Sequence, residues 1–147
     1  MLKTIALASV MALATLSANT ATAQDCNAAG TVGSGGSASA GGTSASTLGT
    51  AGACRTDDGT TSSIASGGSA AAADGKAMSK TNTVENPNKL QTQSKAQAMD
   101  QGTFSKSKTK TTASGDSLDS TTRTMSHVPG QKPVKSTTDS SVTLPQQ

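Results

Sequence analysis

The chain has no tryptophan and no tyrosine, one phenylalanine, one histidine, two cysteines and four prolines among 147 residues. Each shortage excludes a class of function. With Phe104 as its lone aromatic, the chain has no platform on which successive bases could stack, so no nucleic-acid partner is expected. Two cysteines and a distant His127 do not make a four-ligand zinc cluster. His127 also lacks a neighbouring nucleophile and orienting partner of the kind a general base requires. It is read as a turn residue in "TMSHVPG". No catalytic residue, cofactor or metal site is expected, and the chain is read as non-enzymatic.

Large apolar side chains are also scarce. Beyond residue 23, Val, Leu, Ile, Met and Phe together number 14. Too few are present to offset the conformational entropy of the chain by conventional burial. Charge does not compensate, because it is weak: of 12 Lys and Arg, removing Lys3 leaves 11 against 9 Asp and Glu. The composition therefore predicts a mostly intrinsically disordered, low-complexity protein with no compact core.

What is abundant is small. Serine and threonine make up 46 residues and glycine 15. The opening "MLKTIALASVMALATLSANTATAQ" has the three parts of a secretory signal peptide: a basic start at Lys3, an apolar run from Ile5 to Leu16, and the small-x-small pattern Ala21-Thr22-Ala23. Its helical apolar run is too short to span a bilayer. Cleavage is expected between Ala23 and Gln24, releasing a chain without a membrane anchor. Asp25 before Cys26 argues against lipidation. The expected location is secreted or periplasmic, in a bacterium.

Beyond the leader (residues 1–23), composition divides the chain into three parts. Residues 24–75 are rich in Gly, Ser, Ala and Thr and hold both cysteines. Residues 76–101 gain Lys, Gln and Asn, and residues 102–147 form a tail rich in Ser, Thr and Lys, read as disordered. No part shows sustained period-2 or period-3.6 apolar patterning. A short, marginal helix is expected near 87–101, with Asn86 as cap, Pro87 in the first turn and Gly102 as the stop.

The glycine-rich part contains an echo. "CNAAGTVGSGGSASAGG" (26–42) aligns with "CRTDDGTTSSIASGGSAAAADG" (54–75), matching Val32 to Ile64 and the SGGSA run at 34–38 to that at 66–70. Gly33-Ser34-Gly35-Gly36 lacks the lysine and following hydroxyl of a phosphate-binding loop. Asp57-Asp58-Gly59-Thr60 lacks the alternating carboxylates of a calcium loop.

Two features remain as candidate sites. Cys26 and Cys54 meet an oxidising compartment if exported and form a disulfide, either within the chain or between copies. Lys106, Lys108 and Lys110 in "FSKSKTKTT" form the most basic stretch, a candidate contact for an anionic envelope polymer or surface. The composition thus points to a flexible exported spacer or surface-interaction chain. Alternatives are a secreted regulatory or toxin-like peptide precursor with an active basic C-terminal half, and a glycosylated stalk.

Overall fold

The structure is a computed structural model and describes residues 26–146. The expected signal peptide and its cleavage point, Ala23 and Gln24, lie outside the described residues. Eight antiparallel strands follow in order: β1 Ala28–Ala40, β2 Thr43–Thr56, β3 Gly59–Ala72, β4 Lys76–Asn86, β5 Lys89–Asp100, β6 Thr103–Ser114, β7 Ser117–His127 and β8 Val134–Thr143. Neighbours in sequence are neighbours in space, giving one three-stranded sheet, β1-β2-β3, and one five-stranded sheet, β4-β5-β6-β7-β8. The sheets lie face to face, β1 over β7, β2 over β6 and β3 over β5.

Turn chemistry sets this meander. Two-residue loops join most strand pairs: Gly41-Gly42, Asp57-Asp58, Pro87-Asn88, Gln101-Gly102 and Gly115-Asp116. Gln101 and Gly102 both have positive φ, 45° and 82°. That is the backbone twist a tight hairpin needs, and glycine adopts it without steric penalty.

The expectation of a disordered chain is overturned, and so is that of a helix near 87–101. Pro87 and Asn88 form a hairpin turn, and the rest of that segment is β5. The supposed disordered tail, 102–147, supplies β6, β7 and β8. The error lies in what was counted as core. The interior is built from small residues and hydroxyls, which a census of large apolar side chains omits.

Three zones fill the space between the sheets. One end is apolar: Val32, Ala51, Ala53, Ala113, Leu118 and Leu144 are buried together, with Ile64 and Leu90 packed against them. Burial of such carbon surface favours folding by roughly 25 cal/mol per Å². The other end is lined by Ala38, Ala45, Ala96 and Ala98. Between them runs a chain of buried hydroxyls. Ser107 bonds to Thr47 at 2.6 Å, Thr47 to Thr109 at 2.7 Å, and Thr109 to Thr122 at 2.6 Å. Thr122 then reaches Ser34 at 2.9 Å, Ser34 reaches Ser120 at 2.7 Å, and Ser120 reaches Thr111 at 2.9 Å. Each hydroxyl can donate once and also accept, so this open chain gives every member a partner, satisfying groups whose burial would otherwise be unfavourable. The Ser107 hydroxyl donates to the carbonyl of Gly36, and the Ser120 hydroxyl shares its one proton between the Gly49 carbonyl and its hydroxyl neighbours, tying the chain to the backbone of the opposite sheet.

Such short side chains require the sheets to approach closely. At Gly49 an added Cβ would overlap the Thr111 hydroxyl and lie 2.7 Å from the Thr109 methyl. Glycine there permits contact between the sheets rather than loosening the strand.

The echo finds a place in the register. Ala51 of β2 pairs with Val32 on one side and Ile64 on the other. Gly49 likewise sits between Ser34 and Ser66, and Ala45 between Ala38 and Ala70. The two similar segments are the strands that flank β2, presenting matching residues row by row.

Candidate functional site

Side chains alternate between faces along a strand, and the pairing register assigns each charged residue to one face. On the five-stranded sheet the hydroxyl-bearing residues of β6, from Ser105 to Thr111, point inward, so Lys106, Lys108 and Lys110 point outward. The register then places other cations on the same outer face. Lys80 of β4 pairs with Lys95 of β5, Lys95 with Lys108 of β6, and Lys108 with Arg123 of β7. Four cations thus form one straight row across four adjacent strands. Lys76 and Lys135 share the face, being paired with the outward-facing Met99 and Met125. Asp119 and Asp139 are its acidic residues.

Lysines directly opposite one another in a sheet repel, and each such pair lowers stability by a fraction of a kcal/mol. The ion pair found among the described residues joins Arg55 to Asp116, away from this face. The cations of the row are therefore not neutralised within the chain.

Two hollows flank Lys108. One, of about 210 Å³, is lined by Lys108, Lys110, Thr121 and Arg123. The other, of about 280 Å³, is lined by Met78, Lys80, Lys95, Gln97, Lys106 and their neighbours, with Lys108 shared. At the margin of the face, the Lys106 ammonium lies 4.9 Å from the centre of the Phe104 ring. Phe104 in turn lies 5.3 Å from the His127 ring. His127 is therefore a packing partner of the lone aromatic, and its Nδ1 is buried without a hydrogen-bond partner.

The opposite outer face contrasts with this one. β1 and β3 carry no charged residue, and β2 carries Arg55 alone. The surface of the three-stranded sheet is therefore one of Gly, Ser, Ala and Thr, with Leu48 exposed near its centre. The charge asymmetry gives the sandwich one cationic side and one uncharged side.

The remaining predicted site is closed. Cys26 and Cys54 are joined within the chain by a disulfide, with Cα atoms 5.4 Å apart. Rather than tying off a flexible loop, the bond holds the start of β1 to β2, whose hairpin is itself ordered. Beside it, Arg55 pairs with Asp116 in the β6–β7 turn and donates to the Pro145 carbonyl at 2.5 Å. Thr60 also donates to Asp116, at 3.1 Å. The Arg55 hydrogen bond holds the Asp116 carboxyl below its ordinary value, against an opposing push from burial. This latch closes the apolar end of the sandwich. Asp57 and Asp58 occupy the β2–β3 turn, where Asp57 accepts a hydrogen bond from Asn27 at 2.5 Å.

Of the cationic face, the sequence indicated Lys106, Lys108 and Lys110 but not Lys80, Lys95, Arg123 or Thr121, which only strand register brings beside them. Among the described residues, no cluster of three or more His, Cys, Asp or Glu side chains could hold a metal ion. No family model matches the chain, and no curated protein or solved structure matches it.

Proposed function

We propose that this is an exported, non-enzymatic protein that binds an anionic envelope polymer through the outer face of its five-stranded sheet. The observation that carries the proposal is the row Lys80, Lys95, Lys108 and Arg123, set in direct cross-strand register. Repulsion within the row is relieved when a polymer lays negative charge along it. Binding and stability are therefore linked. The leader-like residues 1–23 and the Cys26–Cys54 disulfide support an oxidising, exported location. The rigid sheet favours a binding surface over a spacer, because the cations are held at fixed spacings. A cleaved basic C-terminal half is a weaker reading: β5, β6 and β7 bury their hydroxyl faces against β1, β2 and β3.

The test is a binding titration of residues 24–147 with fluorescein-labelled dextran sulfate at two salt concentrations. If about four cations are neutralised, affinity falls roughly 50-fold between about 50 and 200 mM salt, by analogy with the release of counterions from flexible polyanions. Replacing Lys80, Lys95, Lys108 and Arg123 together by glutamine abolishes most of the binding and its salt dependence. Equal binding by the parent and the quadruple variant would refute the assignment of the face.

A further inference from the structure

Resting on that reading, we infer that the hollow formed by Lys108, Lys110, Thr121 and Arg123 is a site for a phosphate ester of the bound polymer. The four residues stand at the corners of a rectangle on two paired strands. Lys108 opposes Arg123, and Lys110 opposes Thr121. Strand spacing puts opposed residues about 5 Å apart and alternate residues on one strand about 7 Å apart. Long side chains from three corners can therefore converge over the hollow of about 210 Å³ between them.

The donor set selects among anions. A carboxylate offers two oxygens in a plane, which the Arg123 fork alone satisfies. A phosphate monoester offers three free oxygens in a tetrahedral arrangement and up to two negative charges. The guanidinium fork, two ammonium groups and the Thr121 hydroxyl supply donors from different sides, which suits that third oxygen. Three positive charges at the corners match a dianion better than the single charge of a sulfate ester. Asp139, the partner of Thr121 on β8, sets the limit of the site, since its carboxylate repels an anion placed further toward that edge.

Three dextrans of equal length and degree of substitution separate the possibilities: dextran phosphate, dextran sulfate and carboxymethyl dextran. Each is titrated into residues 24–147 and into two charge-conserving or charge-neutral variants, Arg123→Lys and Thr121→Val, whose folding is checked by amide spectra. The expected result is that the parent binds dextran phosphate about tenfold or more tighter than either alternative. Both variants weaken dextran phosphate binding: Thr121→Val, which removes a donor the carboxylate does not use, lowers the phosphate-to-carboxylate ratio, whereas Arg123→Lys, which removes the fork, weakens carboxymethyl dextran as well. Equal affinity of the parent for all three polymers overturns the phosphate assignment and leaves the wider polyanion reading standing. Tighter binding of dextran sulfate than dextran phosphate overturns the assignment likewise. Failure to bind any of the three removes both.

Discussion

Val32 and Ile64, 32 positions apart in sequence, flank Ala51 in a single row of the three-stranded sheet. They are the apolar members of two similar segments, and both contribute to the cluster around Leu118 and Leu144. They are not equivalent in burial, however. Val32 is 4% exposed, whereas Ile64 is only partly buried on β3. Val32→Ala is expected to destabilise by about 2 kcal/mol, from two lost carbons and the space they leave. Ile64→Val, which removes one carbon at a more exposed site, should cost well under half of that. Denaturant midpoints of the two variants check the order, and a larger loss for Ile64→Val would show that β3, not β1, anchors the cluster.

The buried hydroxyl relay makes a second prediction. Thr109 bonds to both Thr47 and Thr122, so Thr109→Val keeps the shape while removing one of the two hydroxyl partners of each, which leaves Thr47 with Ser107 and Thr122 with Ser34. The expected cost is about 1–3 kcal/mol. Thr121→Val, on the outer face, should change stability by less than about 0.5 kcal/mol. Similar effects from the two valines would mean that the relay contributes no specific stabilisation.

That relay also explains why the fold was hard to read. The segment "SKSKTKT" of β6 alternates strictly between lysine and a hydroxyl residue, which is the period of a strand with one wet face. A search for alternating apolar residues passes over it, because the buried positions Ser105, Ser107, Thr109 and Thr111 are themselves polar. Gly102 reads as a helix stop in the sequence because no apolar run beside Gln101-Gly102 marks the hairpin that the structure places there. The three clustered lysines were legible locally. Lys80, Lys95 and Arg123 were not, because their place in the row depends on pairings fixed by loops elsewhere. An intramolecular disulfide is the simplest pairing of the two cysteines, and the structure has it.

Reduction should therefore matter more than it would for a flexible loop. Cys26 and Cys54 are separated by 28 positions and join β1 to β2. On the loop-entropy model the crosslink contributes about 3.6 kcal/mol, which for a domain of this size is a fall in Tm on the order of 10–20 °C. Thermal melts followed by far-ultraviolet circular dichroism, with and without reductant, measure it. An unchanged Tm would separate the disulfide from the stability of the sandwich.

Acid should weaken the latch. The Asp116 carboxyl is held below its ordinary value chiefly by the Arg55 hydrogen bond. A depressed carboxylate contributes stability that is present above about pH 4 and is lost as pH falls through its folded-state value. Asp116→Asn should thus lower Tm relative to the parent at neutral pH, with the gap closing as pH drops toward about 2. A gap that persists in acid would show that the asparagine disturbs the turn for reasons other than charge.

The polyanion reading is tested most directly by amide spectra of labelled residues 24–147 recorded during a titration with dextran sulfate. The free protein should give well-dispersed amide signals, as a folded sheet requires. On titration, shifts should concentrate on Lys95, Lys108, Lys110 and Arg123 and their strand neighbours, while Ser37, Ser46 and Ser69 on the uncharged face stay in place. Shifts spread equally over both faces, or none at saturating polymer, would contradict the proposal that the cationic sheet is the binding surface.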